Sequence, residues 1–529
     1  MNDTTGAARR FHDRTTHTPA SVRSGSHSLD WDVKPFPFKV YTELPLIPLP
    51  REWPGIVTGA PWSVSIEGGL TQARPGSVAS PLTLSGLAAV LYYTAGVTKK
   101  KTYPGGGEMF FRAAASTGAL YQTEVYAVVG EVDGLAPGVY HFCPGDFALR
   151  RLREGDVRGA LADAAADASL ARRAVTLVLS AIYWRNTWKY QARGYRHLFW
   201  DSGTMLANLL AVGGALGLAP RLLMGFVDAD VNHLLGLDAD HEAALELVPL
   251  GRETAPAPVV GPLPPINHPT LPLSSAEVDY PELREIHRAS MLDSPDAVMA
   301  WRADLVVEGP PTEPPARATP PSLVGLPAPT LEGGRGLGET IQRRGSTREF
   351  GHEPLTAAEL GAALAAATRG FEGDVPPGLV DLYLVVNAAT GIDSGAYAYH
   401  PEPHALELLE AGDFRMQSSY LCLEQPLGGD AAAVIYFLAP LDAILARLGN
   451  RGYRAVNLQA GLAGGRAYLA AYSLGFGASG LTFYDRHVVD FFSPHAAGKD
   501  AIFVTALGRA ARERRDTIGI VPTVRRRSD

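Results

Sequence analysis

Cysteine is almost missing. Cys143 and Cys422 are the only two in 529 residues, which excludes a disulfide-stapled scaffold and a four-cysteine zinc site. An excess of positive charge is missing too: 47 basic residues stand against 55 acidic ones, a formal charge of −8. Neither a generic nucleic-acid binder nor an anionic-membrane binder is indicated. The 14 histidines are scattered; His400 and His404 stand four apart, but Pro401 and Pro403 between them break the helix that would align them as metal ligands. No metal site is expected. No Gly-x-Gly-x-x-Gly segment follows a strand at the spacing of a dinucleotide fold. The first 30 residues hold no apolar stretch of the export type, so the chain reads as cytoplasmic. Two uncharged runs, Ser202–Pro220 and Ala467–Tyr484, approach membrane-span length, yet their Asn, Ser and Gly and their charged borders mark them as buried helices.

What is present is enough apolar residue, 46%, for two sizeable cores. Residues 1–30 read as a mobile tail and 253–335 as a proline-rich linker that docks a helix near 274–292. Two bodies remain, 31–252 and 336–529. They are copies. Glu124–Asp156 aligns without gaps to Asp381–Asp413 at an offset of 257, with Tyr126/Tyr383, Gly134/Gly391, Gly138/Gly395 and Tyr140/Tyr397 coincident. Each copy predicts a strand, a glycine turn and a second strand. Arg193-Gly194-Tyr195-Arg196 matches Arg451-Gly452-Tyr453-Arg454, and Gly203 and Gly217 fall on Gly461 and Gly475, in long helices rich in small residues. PLTLSGLAAVL (81–91) matches PLTAAELGAAL (354–364), a turn opening a helix. The expected fold is α+β, duplicated in tandem and closed into an intramolecular pseudo-dimer.

The copies have diverged in a complementary way. The second begins with Arg343-Arg344-Gly345-Ser346-Thr347-Arg348, a cluster suited to an anion; the first has only LTQARPGSVAS (70–80) there. Conversely the first carries Arg112 and then Ala115-Ser116-Thr117-Gly118-Ala119-Leu120-Tyr121, a small-residue loop that a flat ligand can approach. The second has FEGDVPPGLV (371–380). Lys189-Tyr190 in the first copy faces Arg447-Leu448 in the second.

These motifs resemble those of the nitroreductase-like flavoproteins, in particular the SagB/ThcOx-type dehydrogenases that oxidise azoline rings in peptides. The resemblance implies one FMN between the domains. Arg343, Arg344, Ser346 and Arg348 would come from the second domain, and Arg112, Ser116, Thr117, Gly118 and Ala119 from the first, with Gly480, Leu481 and Arg509 as further contacts. It also implies Lys189 and Tyr190 as the catalytic pair, Lys189 taking a proton if its pKa is lowered. The implied substrate is an azoline-containing precursor peptide turned into thiazole or oxazole beside a cyclodehydratase, with no nucleic-acid or membrane partner. An NAD(P)H-dependent nitro- or quinone-type reductase and a flavin-free peptide scaffold are the alternative readings.

Overall fold

A computed structural model describes residues 2, 6–25, 27–53, 81–103, 108–306, 322–331 and 334–512. The 70–80 segment, the second proline-rich stretch up to residue 321 and the basic C-terminal run lie outside the described residues.

In chain order the elements that matter are α1 (Ala7–Arg14), α2 (Leu84–Ala95), the hairpin β1 (Val97–Thr102) and β2 (Glu108–Arg112), β3 (Thr123–Val129), β4 (Gly138–Cys143), β5 (Ala148–Glu154), β6 (Arg173–Ile182), α3 (Tyr183–Tyr190), α4 (Gly194–Ala215), α5 (Asp228–Leu235), β7 (Glu242–Glu253) and α6 (Pro281–Ala289). The second half adds α7 (Ala357–Thr368), β8 (Asp381–Val386), β9 (Gly395–His400), β10 (Ala405–Ala411), β11 (Ala433–Ala439), α8 (Leu441–Leu448), α9 (Arg451–Leu474), β12 (Gly477–Gly480), α10 (Asp485–Phe492) and β13 (Asp500–Gly508).

The first sheet runs Ile47–Pro48, β5, β4, β3, β6, β7, and the second β12, β13, β11, β8, β9, β10, Leu323–Gly325, every pair antiparallel. The aligned repeat is the β3–β5 and β8–β10 meander, down to details. Gly134 and Gly391 turn the chain at φ 84° and 85°, a region glycine reaches without penalty. The register slips at Val139/Tyr140 and at Ala396/Tyr397. Tyr140 donates to the Ala136 carbonyl at 2.6 Å and Tyr397 to that of Asp393 at 2.7 Å. Thr83 and Thr356 cap α2 and α7 by accepting from the amides of Gly86 and Glu359.

The two long helices, α4 and α9, are almost wholly buried and cross each other at the centre of the molecule. Their glycines make the crossing possible. A Cβ on Gly203 would overlap the backbone of Leu458–Leu462, and one on Gly461 would overlap the Trp200 backbone. No side chain fits between the two axes there, so the expected pseudo-dimer is built backbone against backbone.

Next to the crossing lie two matching clamps. Arg196 donates to Asp485 at 2.6 Å and Arg193 to the same carboxylate at 3.0 Å; Arg454 donates to Asp228 at 2.7 Å and Arg451 at 2.6 Å. Each pair joins one domain to the other and is buried. The carboxylates are themselves related by the offset of 257. Arginine neighbours hold Asp485 down at about 2 and keep Asp228 below its ordinary range, in both cases against the opposing effect of burial.

The residues expected as a mobile tail are instead part of this clamp. Arg196 also donates to the His12 carbonyl and to the Thr15 hydroxyl, and the His17 amide donates to Asp485. At the other clamp Arg454 donates to the His287 carbonyl and the Ser290 hydroxyl, and the Leu292 amide to Asp228. Thus α1 and α6 are equivalent elements, one per copy. The eight residues of α1 dock because Ala7, Ala8, Phe11 and His12 fall on one face and are buried. Burial lowers the His12 pKa to about 4, so the ring is neutral at pH 7. The linker helix is therefore a structural member of the second copy, not a spacer.

Two outcomes follow. An exposed helical Gly→Ala change ordinarily stabilises by about 0.5–1 kcal/mol, whereas Gly461→Ala should destabilise, because α4 has to move; urea unfolding reads the sign. Asp485→Asn should lower stability by about 3–5 kcal/mol, the usual effect of breaking a buried pair. Since the native carboxyl titrates well below its ordinary 3.8, its contribution is complete above about pH 4 and disappears as pH falls through about 2. The deficit of the variant should accordingly be constant above pH 4 and close in strong acid.

Candidate functional site

The arginine cluster of the second domain reaches the small-residue loop of the first. Arg344 follows the short helix Leu337–Arg343, and its guanidinium donates to three successive carbonyls across the domain boundary: Arg112 at 2.8 Å, Ala113 at 2.8 Å and Ala114 at 3.1 Å. Its Nη1 makes no hydrogen bond among the described residues. Arg344 therefore fixes the start of the loop and keeps one donor edge available.

The rest of that loop is held by a residue the motifs did not single out. Asp201, on α4, accepts from the Ser116 hydroxyl at 2.6 Å, the Thr117 hydroxyl at 2.7 Å, the Thr117 amide at 2.8 Å and the Gln122 amide side chain at 2.7 Å. Burial still pushes its carboxyl up to about 6, although these four bonds favour the charged form. The hydroxyls of Ser116 and Thr117 thus face Asp201. What the loop offers a ligand is its backbone around Gly118 and Ala119. Both have positive φ, 65° and 54°, and a Cβ on Gly118 would lie 2.9 Å from the Tyr190 hydroxyl. Only glycine lets Tyr190 lie against the loop. The sequence signal for Asp201 was its position: a lone carboxylate at the edge of an uncharged run, inside a buried helix.

Lys189 and Tyr190 end α3, next to that loop. Tyr190 meets His197 edge-on, centroids 4.5 Å apart, and the Lys189 ammonium stands 5.2 Å from the Tyr190 ring centre. Desolvation lowers the Lys189 pKa, and the charge of Arg348 lowers it further. Burial and Asp201 raise that of Tyr190, and Arg348 opposes them. The charge of Arg348 in the second domain thus acts on both members of the lysine–tyrosine pair of the first. Arg348 is exposed and makes no ion pair among the described residues.

Other expected contacts are arranged less directly. The Ser346 hydroxyl lies 3.3 Å from that of Tyr468, and the Gly480 amide donates to the same Tyr468 oxygen, so Ser346 and Gly480 share one bridge. The Leu481 amide donates to the Val504 carbonyl. Three arginines are engaged elsewhere. Arg343 pairs with Glu339 and Arg509 with Glu359, each at 2.7 Å. Arg112 turns its guanidinium into the first domain towards the carbonyls of Pro37 and Thr123, leaving only its own carbonyl at the boundary. These three side chains do not join the site.

The pseudo-equivalent position on the other side is closed. The Leu222 amide donates to the Glu372 carbonyl and the Asp374 amide to that of Leu222, while the Asp374 carboxylate accepts from the amides of Met224 and Gly225 and from Arg302. The 371–376 loop is thereby zipped onto the first domain.

Comparison with known proteins places this geometry. The sequence profile described as the nitroreductase family matches residues 88–252 and again 341–493. The candidate nitroreductase MJ1384 of Methanocaldococcus jannaschii is 31% identical over 175 residues, 33% of this chain and 83% of that protein. The microcin B17-processing protein McbC of Escherichia coli is 29% identical over 133 residues, 24% of this chain and 49% of McbC, so the chain spans about half of that relative. The crystal structure of a candidate nitroreductase from Anabaena variabilis superposes over 95% of this chain and 99% of its own, with TM-score 0.74 and 26% identity. Among the described residues no helix is long and apolar enough to cross a membrane, and no group of three potential ligands could hold a metal ion. With its two profile matches covering more than half of the sequence, the chain belongs to the nitroreductase family and carries that family's domain twice in tandem.

Proposed function

We propose that the chain is an FMN-dependent dehydrogenase that oxidises azoline rings of a peptide to azoles, using a single composite site between its two domains. Members of the family are generally flavin-dependent oxidoreductases, which supplies the coarse part of the reading. The observation that carries the finer part is the meeting of the second domain's arginine motif with the first domain's loop: Arg344 holds the carbonyls of residues 112–114, and Tyr190 lies against Gly118 of the same loop. McbC, by its name, processes microcin B17; carried over to this chain, such a role implies a precursor peptide as substrate and a cyclodehydratase that makes the ring. A nicotinamide-driven reductase remains the second reading, favoured by the name of MJ1384.

The residues present fit a flat phosphorylated cofactor. Arg344 keeps a donor edge beside the loop, Ser346 and Gly480 share a hydroxyl bridge, Gly118 lets Tyr190 lie against the loop, and Arg348 offers an uncommitted cation. Bound flavin would supply the acceptor for one hydride equivalent, that is, for the two electrons and one of the two hydrogens that the ring loses. The protein must do the rest. Aromatising an azoline also removes a proton from ring carbon, and Lys189, whose pKa desolvation and the charge of Arg348 both lower, is the group assigned to accept it. Tyr190, with a raised pKa, stays protonated and can donate a hydrogen bond to the ring. Asp201 keeps the loop beneath Tyr190 in place. Closure of the opposite cleft by the 371–376 loop supports one site per chain.

Lys189→Ala should retain bound flavin, read from its visible absorbance, and lose turnover by about 10²–10⁴-fold, the usual contribution of a general base. Arg348→Gln should move the rising limb of the pH–rate profile to higher pH, because without the neighbouring cation Lys189 holds its proton more tightly. Flavin quantitation should give one FMN per polypeptide. Mass spectrometry of an azoline peptide should show the loss of two hydrogens; rapid flavin reduction by NAD(P)H without any such loss would select the reductase reading.

A further inference from the structure

A cleft of about 230 Å³ opens on the flank of α3, between that helix, the Asp240–His241 turn before β7 and the Glu277–Arg284 segment that leads into α6. Its walls are the rings of Tyr183, Trp184 and Tyr280. Two of these rings have their polar atoms tied back into the protein: the Trp184 indole donates to the Ser274 hydroxyl at 2.9 Å, and the Tyr183 hydroxyl to the Ala239 carbonyl at 3.2 Å. Among its ionisable lining residues three carboxylates, Asp240, Glu277 and Asp279, stand against one permanent cation, Arg284, and one imidazole, His241. Arg284 spans Asp279 and Asp240, Arg288 reaches Asp240 from outside, and His241 lies 3.1 Å from Glu277. These pairs are solvent-exposed, and exposed pairs hold their partners by no more than about 1 kcal/mol. An incoming cation can therefore share the carboxylates.

The cleft lies beside the candidate site, with one packed cluster as their common wall. Tyr280 packs in one apolar cluster with Trp184, Trp188, Tyr190 and Leu120, the last a member of the small-residue loop. Thr187 lines the cleft and Tyr190 is three residues further along the same helix, about 4.5 Å of axial rise. An extended peptide advances about 3.3 Å per residue, so a chain whose ring lies at Lys189 passes the cleft within about two to four residues.

We propose that this cleft is a subsite for a basic side chain of the substrate, a guanidinium or ammonium on an aliphatic stem, placed two to four residues from the reacting ring. The aromatic walls suit the stem and the face of the cation, and the carboxylate rim its charge. The assignment rests on the peptide-oxidising reading above.

The test uses two azoline peptides that differ only in arginine or its neutral isostere citrulline at those positions, with azoline-free versions of both. For the intact chain at low salt the arginine peptide should have a KM at least tenfold lower, with kcat unchanged, and the gap should collapse in the Glu277→Gln/Asp279→Asn double variant and at high salt. Equal KM values in the intact chain, or a gap the double variant leaves untouched, would overturn the subsite. Calorimetric binding of the azoline-free pair separates the two ideas. Arginine preference that the double variant abolishes, with no oxidation of either azoline peptide, upholds the subsite and removes only the azoline chemistry; no preference in binding removes the subsite whatever the turnover.

Discussion

Two crossed guanidinium–carboxylate clamps set the relation between the halves of this molecule, and the site depends on that relation. Burying four arginines and two aspartates carries a desolvation cost of several kcal/mol per ion, which close pairing offsets without a large surplus. Their physical role is geometric. Arg196 directs donors to Asp485, the His12 carbonyl and the Thr15 hydroxyl, and Arg454 does the same with Asp228, His287 and Ser290. Sliding α9 along α4 by even a fraction of a turn would strand charges on both sides at once. The glycines at the crossing bring the helices together, and the clamps decide at which register. Arg344 meets the carbonyls of residues 112–114 only because that register is fixed.

Against this symmetry the two ligand positions are unlike. In a homodimer any substitution strikes both equivalent sites; once the copies are fused, each can lose what the other keeps. The 371–376 loop illustrates the result. Where the first copy sends Ser116 and Thr117 to Asp201 and leaves the backbone near Gly118 beside Tyr190, the second lays Asp374 across the amides of Met224 and Gly225 and pairs with Leu222. In the first loop the hydroxyls are taken up by a carboxylate of its own domain, while in the second the loop's own carboxylate bonds the other domain. The same duplicated backbone thus gives two unlike positions through the placement of two aspartates.

Much of this was legible from residues alone, for a definite reason. The meanders, the Arg-Gly-Tyr-Arg motif and the helix glycines keep a nearly constant offset, and each is constrained by geometry that tolerates few alternatives. The partners were not legible. Asp485 lies 292 and 289 residues after its arginines and Asp228 lies 223 and 226 residues before its own, and neither carries a motif. The equivalence of α1 and α6 escaped because the β1–β2 hairpin, present in the first copy alone among the described residues, shifts the offset from 275 at α1 to 257 at the meander, and because a polar eight-residue segment with one phenylalanine looks like a tail until its burying partner is known. Arg112, Arg343 and Arg509 were drawn to the site by sequence position; a guanidinium on a long side chain goes to the nearest acceptors, and for these three those are Pro37, Glu339 and Glu359.

The choice of cation in the chain bears on the role of Lys189. Arginine outnumbers lysine forty to seven, and each structural task described above, from the clamps to the loop carbonyls, falls to arginine, whose planar fork serves several acceptors and never loses its proton. A proton acceptor needs the opposite property. Lys39 sits 2.6 Å from Glu242 and Lys499 2.7 Å from Asp381, and in both the carboxylate raises the pKa. At Lys189 burial and the charge of Arg348 act in the same direction, and the pKa is lowered. An arginine at 189 would keep the charge and lose the chemistry, and the corresponding position of the second copy, where no reaction is assigned, does carry arginine, Arg447. On the proposed reading, a lysine placed against the composition of its own chain and lowered in pKa by a cation instead of raised by a carboxylate is suited to remove the proton.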